Sequence, residues 1–495
     1  MRKGLVLLIA ATALVVAVAQ SAAAPGGSAG PSSSKDPYLV RSQPGVVLKS
    51  VLTVGDSVPK VGGGTYRMAG IPDGLGAFDN GDGTFTVLMN HEITDTRGVA
   101  RAHGGIGAFV SRWVIRKDDL SVVSGEDLIK KVNLWTGSGY ALTPGVKFSR
   151  FCSADLPAKS AFYNAATGNG FDGRLYMNGE EKGPEGRAFA HGLDGSSWEL
   201  PWLGKFSYEN SLANWGTGDR TIVAADDDQG GGKGQIYVYA GDKKTSGTPV
   251  DRAGLTGGTL YGIKVTGFPA EPQSTGIPSG TRFTAFPFGD VSAKTGAQLE
   301  ADSNANGVTN FRRPEDGAWD PNNPSVYYFV TTDQFPGKSR LWRLTFDDAA
   351  HPELGGAIDM LLDGTEGQQM LDNIGPNGRG QIVALEDIGE QVPLGKVWLY
   401  DIASDTLTQV AEHDPALFTP GSPDFITADE ETSGVIDVSS ILGSGWYLLD
   451  DQVHSPWAPP PFVAPSPLPF PYSDPELVEG GQLIAMHIPP GKFPH

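Results

Sequence analysis

Asn-Gly-Asp-Gly-Thr-Phe-Thr-Val-Leu-Met-Asn-His-Glu, residues 80–92, joins a polar turn, a β-prone run and an acidic end. Glycine and asparagine supply the backbone conformations of a tight turn, and the β-branched and aromatic residues after them favour a strand. The same order of turn, run and acid recurs five more times, at 171–181, 221–228, 322–333, 376–387 and 443–451. Aromatic second strands follow several of these runs, at 235–239, 340–344 and 396–400. This repetition predicts an all-β protein, a six-bladed β-propeller with long inter-strand loops.

The composition agrees with many short strands and turns. The 495 residues include 67 Gly and 37 Pro, and 39% are hydrophobic, which is enough to bury a large core. A formal net charge of -20 excludes a basic surface for nucleic acid, so we expect no nucleic-acid partner. The acidic excess either keeps the chain soluble or reflects clustered carboxylates that hold cations.

The chain begins like an exported protein. Arg2 and Lys3 precede an apolar run at 5–19, and three alanines at 22–24 supply a small-residue cleavage site. Residues 1–24 therefore read as a Sec-like signal peptide without a twin arginine, and a secreted or periplasmic protein is expected. We predict a flexible leader at 25–36 and a single propeller domain at 37–495 with a Pro-rich C-terminal segment. No later stretch is apolar enough to span a membrane.

A propeller would bring the acidic strand ends to one place. Its innermost strands run beside one channel, so acids at equivalent strand ends converge at one mouth of that channel. Like charges held so near to one another repel by several kcal/mol, and they require bound cations or protons. Converging carboxylates therefore predict bound metal.

The candidate ligands are found where these acids occur. Cys152 is the one cysteine, and it is either a small buried hydrophobe or a metal-ligating thiolate. In the cluster Asp226–Asp228 at most two side chains can face one site, since strand residues alternate in direction. Arg313 is suited to grip a phosphate, and Glu315 to hold a metal that faces the same phosphate. The remaining candidate ligands are carboxylates that follow β-prone runs: Glu92, Glu180, Glu181 and Glu386.

Several common motifs fail on inspection. Gly337-Lys338-Ser339 lacks the upstream glycine of a phosphate loop, because residue 332 is Thr. Residues 302–307 match the first half of a calcium loop, but the position of its closing Glu holds Arg313. The Gly-X-Ser-X-Gly pattern at 26–30 lies in the leader and cannot form a nucleophile elbow.

Taken in order along residues 65–455, the acidic segments resemble the PhoX-type alkaline phosphatase family of exported bacterial propellers. The segments that carry the resemblance are Asn90-His91-Glu92, Cys152, Glu180-Glu181, Asp226–Asp228 before Tyr237, Leu260-Tyr261, Arg313-Pro314-Glu315-Asp316-Gly317, Glu386-Asp387 and Glu431-Thr432-Ser433-Gly434.

The resemblance implies a monomeric six-bladed propeller that hydrolyses phosphomonoesters with a cluster of iron and calcium. It implies that Cys152 binds iron and that Arg313 holds the substrate phosphate. Glu92, Glu181, one residue of Asp226–Asp228, Glu315 and Glu386 would supply cluster carboxylates. A small phosphate ester is then the expected partner, with Arg313 and Glu315 as catalytic residues.

Two other classes remain open. One is a calcium-dependent propeller hydrolase of another kind, phytase-like or lactonase-like. The other is a non-catalytic propeller that uses calcium for stability and its faces for binding. An iron–thiolate centre would absorb visible light, and calcium alone would not.

Overall fold

The computed structural model describes residues 27–463 and 470–491. The predicted signal peptide lies outside the described residues. No helix within those two described ranges is long and apolar enough to cross a membrane. The prediction of an all-β, six-bladed propeller is confirmed, since six blades of mainly antiparallel strands follow one another around a channel.

The strands of each blade follow one another outwards from the channel. In that order, blade 1 contains Pro72–Asp79, Thr84–His91, Phe109–Arg116 and Val122–Asp127. Blade 2 contains Phe151–Asp155, Leu175–Glu180, Ala188–Gly192, Ser196–Glu199, Lys131–Trp135 and Tyr140–Leu142. Blade 3 contains Tyr208–Ala213, Arg220–Asp227, Ile236–Asp242, Thr259–Val265 and Thr281–Gly289.

Blade 4 contains Pro314–Trp319, Val326–Thr331, Arg340–Phe346 and Gly356–Leu362, and its outer strand pairs with that of blade 3. Blade 5 contains Leu371–Pro376, Gln381–Glu386, Lys396–Asp401, Thr406–His413 and Leu39–Arg41. Blade 6 contains Glu430–Asp437, Trp446–Val453, Gly480–His487, Val47–Thr53 and Gly27–Ala29.

The remaining elements are short. Two small hairpins pair Ser57–Pro59 with Thr65–Arg67 and Tyr163–Asn164 with Asn169–Gly170. The α-helices are Pro249–Arg252, Gly296–Asn306, Pro415–Phe418 and Ser439–Leu442, and the 3₁₀ turns are Lys159–Ala161, Pro201–Leu203 and Pro352–Leu354. Residues 302–306 belong to the second of these helices, so the half-matched calcium loop does not form.

Blade 6 closes the propeller with strands from both ends of the chain. Val47–Thr53 pairs with Gly480–His487, and the six innermost strands each contact the next around a complete circle. Closure of this kind leaves only short outer edges unpaired. The leader prediction is wrong for residues 27–36, because Gly27–Ala29 pairs in parallel with Val47–Thr53 and Asp36 accepts a hydrogen bond from the amide of Ala29.

A hydrophobic cluster lies between each pair of neighbouring blades. In the second strand of blade 4, Tyr327 and Phe329 pack towards blade 3, and Tyr328 and Val330 pack towards blade 5. Second strands are therefore apolar on both faces, and so they read as continuous apolar runs in the sequence. The six runs found in the sequence are these second strands rather than the innermost ones.

The described part of the Pro-rich segment lies against blade 6. The amide of Trp457 donates to Oγ1 of Thr427, and the Tyr472 hydroxyl donates to the carbonyl of Val453. Residues 464–469 lie outside the described residues.

Candidate metal centre at the mouth of the channel

Each innermost strand carries a metal-ligating residue type at its second position. All six side chains are buried and belong to one mouth of the channel. We call them the ring: Asp73, Cys152, Glu209, Glu315, Asp372 and Glu431.

The backbone is distorted at the start of these strands. Every innermost strand has a register shift in its pairing with the second strand, and such bulges re-aim side chains. Four residues stand two positions before a ring residue and adopt positive φ, namely Ile71, Arg150, Arg313 and Met370. A left-handed conformation costs a non-glycine residue about 1 kcal/mol or more, and such strain gathers at functional sites.

The ring approaches within coordination range in two groups. Ligand atoms of Glu209, Glu315 and Asp372 all lie within 4.8 Å of one another. Ligand atoms of Asp73 and Cys152 lie equally close to those of Glu92, which follows the second strand of blade 1. One group therefore offers only carboxylates, and the other combines carboxylates with a thiol.

Further acids come from the ends of the second strands. Because first and second strands are antiparallel, the end of the second strand lies at the same mouth as the start of the first. Glu92, Glu181, Asp228 and Asp387 line the cavity in this way. The Cys152 thiol donates to Oε2 of Glu181 at 3.3 Å.

Two arginines enter the same cavity. Nε of Arg150 donates to Oε1 of Glu92 at 2.6 Å, and its Nη2 pairs with Oε2 of Glu181. Nη2 of Arg313 donates to Oε1 of Glu315 at 2.6 Å, and its Nε donates to Oδ1 of Asp228 at 3.1 Å. The side chains of Arg150 and Arg313 remain 43% and 27% exposed, so each can still meet a ligand.

The cavity has a volume of about 380 Å³ and is lined by eleven carboxyl groups, one thiol and three basic side chains. Burial, reinforced by neighbouring carboxylates, raises the pKa of Glu181 and Glu431 to about 8 and that of Glu315 well above its usual range. Burial also raises the pKa of the Cys152 thiol. Burial also acts to raise the pKa of Glu92, but the positive charges of Arg150 and His454, together with hydrogen bonds from Arg150 and Gln452, outweigh it and lower that pKa. Such a cavity requires bound cations or protons to offset the repulsion between its carboxylates.

A polar plug closes the channel beneath the ring. Nδ2 of Asn373 donates to Oγ of Ser153 at 2.6 Å, and that hydroxyl donates to Oε1 of Glu209 at 2.5 Å. Nδ2 of Asn210 donates to Oδ1 of Asp316 at 2.6 Å. A separate cavity of about 420 Å³ opens at the opposite mouth and is lined mostly by small and apolar residue types, with Asp155, Asp316 and Asp437 among them.

Six of the residues predicted from the sequence as metal ligands or catalytic residues line the ring cavity. They come from blades 1 to 4 and lie on adjacent elements around the mouth: Glu92, Cys152, Glu181, Asp228, Arg313 and Glu315.

Glu180 and Glu386, both predicted as ligands, do not line this cavity. Glu180 precedes Glu181 by one residue and points the other way, into an ion pair with Nε of Arg187 at 2.6 Å. Glu386 accepts from Nε1 of Trp398 at 2.8 Å, and its neighbour Asp387 lines the cavity instead.

Asp226 and Asp227 do not line the cavity either, and Asp228 is the member of the aspartate cluster that reaches it. Asp226 accepts a hydrogen bond from the Tyr327 hydroxyl at 2.6 Å between blades 3 and 4. Asp227 accepts from the backbone amide of Ser207 at 3.1 Å.

Three ring residues were not found from the sequence, namely Asp73, Glu209 and Asp372. Each starts a short strand that lacks a strong apolar pattern. A usable signal does exist: every ring residue is followed by a small or polar residue, and a turn and an apolar run come next. The pairs are Asp73-Gly74, Cys152-Ser153, Glu209-Asn210, Glu315-Asp316, Asp372-Asn373 and Glu431-Thr432.

Comparison with solved structures supports the fold. The chain is similar to Pseudomonas fluorescens PhoX in complex with vanadate, a transition-state analogue, with a TM-score of 0.57 and 14% identity. That alignment covers 90% of this chain and 95% of the other. A more distant likeness is to Trypanosoma rangeli sialidase in complex with sialic acid, with a TM-score of 0.36, 10% identity and coverage of 90% of this chain and 59% of that one. No protein-family model and no curated protein sequence matches the chain.

Proposed function

We propose that the chain is a metal-dependent phosphomonoesterase of the PhoX-like alkaline phosphatase type. The observation that carries the proposal is the ring, in which six equivalent strand positions around one channel hold five carboxylates and a thiol. Two arginines face the same space. The ordered motif resemblance and the shared propeller fold point in the same direction.

The donor set fits a mixed centre of iron and calcium. Glu209, Glu315 and Asp372 offer only hard oxygen donors, which suit calcium. Cys152, beside Asp73 and Glu92, adds a thiolate, which suits a softer or redox metal such as iron. When bound, such cations act as Lewis acids that polarise the phosphoryl group and activate its attacking oxygen.

The protein's own groups orient and stabilise the phosphate. The guanidinium of Arg313 is fixed by Asp228 and Glu315 and still partly faces the open cavity. From there its donors would bind the equatorial phosphoryl oxygens and stabilise charge that grows in the transition state. Glu315 holds the guanidinium of Arg313 in position and also supplies a carboxylate to the ring. Arg150 is fixed in the same manner by Glu92 and Glu181 and offers a second cationic contact.

The shape and charge of the cavity favour small monoesters. The plug of Ser153, Asn210 and Asn373 closes the channel below the ring, so substrate would enter only from the ring mouth. Arg150, Arg313 and His454 are the only basic groups among the described lining residues. A phytase-like enzyme would need several more cations to meet a polyphosphate.

The test is hydrolysis of para-nitrophenyl phosphate by purified protein at alkaline pH, with calcium and iron supplied. We expect turnover that chelation abolishes and metal restores, and little turnover of the matching phosphodiester. The Arg313→Lys variant should retain part of the activity that Arg313→Ala loses. Folded, metal-loaded protein without turnover would refute the proposal in favour of another hydrolase or a binding propeller.

Export and a monomeric state remain proposals. The N-terminal segment 1–24 supports secretion or entry to the periplasm. Cell fractionation and size-exclusion chromatography with light scattering test the two statements separately.

A further inference from the structure

A buried acid without a hydrogen-bond partner in the described residues, Asp450, lies outside the ring cavity on the second strand of blade 6. Asp450 is completely buried, and neither of its carboxylate oxygens has a hydrogen-bond partner among the described residues. Its neighbour Asp451 points to the opposite face, where Nε2 of His413 lies 3.2 Å from its Oδ2. Asp450 has no such counter-charge in the described parts of the chain, and an isolated buried carboxylate is costly.

The face on which Asp450 lies is packed against blade 1. Asp450 is paired with Ser433, and Gln452 is two residues further along the same face. Oγ of Ser433 donates to the carbonyl of Pro72 at 3.0 Å, and Nε2 of Gln452 donates to Oδ2 of Asp73 at 3.3 Å. Asp450 therefore lies between blades 6 and 1, further from the ring mouth than the ring residues.

Other acceptors in this region are also unsatisfied. Oδ1 of Asp73 and Oε1 of Gln452 are buried and have no hydrogen-bond partner within residues 27–463 and 470–491. Together with the two oxygens of Asp450 they make four hard acceptors without a donor. Nε2 of Gln452 donates hydrogen bonds to three carboxylates, those of Asp73, Glu92 and Glu431. The side-chain carbonyl oxygen of Gln452 therefore remains as an acceptor. Hard oxygen acceptors without donors are the environment that calcium prefers.

We propose that Asp450, with Asp73 and Gln452, binds a structural calcium ion beneath the ring, between blades 6 and 1. Asp73 would contribute Oδ1 to this inner site and Oδ2 to the ring side. Since blade 6 joins both ends of the chain, the ion would tie the closing blade to blade 1. The inner site shares Asp73 with the ring, but it does not depend on whether the ring hydrolyses phosphate esters, because Asp450 does not line the ring cavity.

The experiment measures bound calcium by elemental analysis after exhaustive dialysis, for wild type and for Asp450→Asn. We expect Asp450→Asn to lose one calcium per chain and part of the rise in Tm that calcium gives the wild type. Asp437→Asn, at the far end of the innermost strand of the same blade, is the matched control and should keep the full calcium content. Equal calcium content in wild type and Asp450→Asn would overturn the inference, and Asp450 would then share a proton instead.

A ring variant separates the inner site from the ring. Asp372→Asn should lose ring calcium but keep the ion that depends on Asp450, and the double variant should lose both. If Asp450→Asn does not fold, radioactive calcium exchange on Asp372→Asn decides the matter. One slowly exchanging ion is expected there, and its absence would count against the inner site. Loss of turnover in any of these proteins bears on the proposed function only.

Discussion

Replacing Asp372 by Asn should stabilise the cation-free protein and destabilise the calcium-loaded one. No arginine of residues 27–463 and 470–491 forms an ion pair with Asp372, and its carboxylate lies within 4.8 Å of ligand atoms of Glu209 and Glu315. Two ionised carboxylates at that distance repel by about 3.5 kcal/mol at an effective dielectric of about 20. The substitution removes two such pairs, about 7 kcal/mol when all three groups are charged.

Protonation relieves part of this repulsion in the wild type. We therefore expect about half of the repulsion energy to appear as a difference in the free energy of unfolding between the two proteins. Unfolding a chain of this length involves an entropy of about 1 kcal/mol per degree, which gives a Tm about 3–4 °C higher for the cation-free variant at about pH 9. Burial first, and the charge of Glu315 second, raise the pKa of Asp372 above its unfolded value. The wild type therefore loses stability as pH rises through the folded pKa, and the advantage of the variant shrinks towards about pH 5.

The assay is scanning calorimetry of both proteins in chelator and in excess calcium, at several pH values. With calcium the order should reverse, because the variant has one ligand fewer. Asp424→Asn, which changes an exposed aspartate, is the control and should alter neither Tm. A chelated Asp372→Asn protein no more stable than wild type at high pH would refute the reasoning that the ring acids repel one another.

The other predictions concern single residues of the site. Cys152→Ser should abolish the visible absorption of iron-loaded protein; an unchanged spectrum would mean that the thiolate does not bind the iron. Arg313→Ala should lower kcat/KM for para-nitrophenyl phosphate about 10- to 100-fold, the value of one charge-assisted hydrogen bond, and an unaltered kcat/KM would remove Arg313 from phosphate binding. Glu180→Gln should lower Tm by about 3–5 °C with unchanged metal content, because it leaves the partly buried Arg187 unpaired, whereas Glu181→Gln should lower metal content. Elemental analysis and calorimetry of this last pair check the assignment, which fails if Glu180→Gln is the one that loses metal.

The class of fold and the neighbourhood of the site could be predicted from the sequence alone. The six second strands are apolar on both faces because they lie between neighbouring blades, so each gives a continuous run between polar turns. That pattern is local, and it indicates the propeller and its six repeats. The acids after those runs led to Glu92, Glu181 and Asp228, because the chain leaves every second strand at the same mouth.

Which acid of each cluster reaches that mouth depends on the tertiary structure. Strand residues alternate in direction, and so Glu181 enters the cavity while Glu180 pairs with Arg187. The same alternation places Asp387 in the cavity and Glu386 beside Trp398. The phase of that alternation is set by packing between blades, which a single strand does not encode.

The ring itself belongs to the tertiary structure. Its members are far apart in sequence, from Asp73 to Glu431, and each begins a short, bulged strand with little hydrophobic pattern. They meet because closure of the propeller by strands from both chain ends brings six equivalent positions to one axis. The same holds for Asp450, since its lack of a partner is visible only once blade 6 is packed on blade 1. The sequence by itself determines which residue types are present, and closure of the propeller determines that they converge.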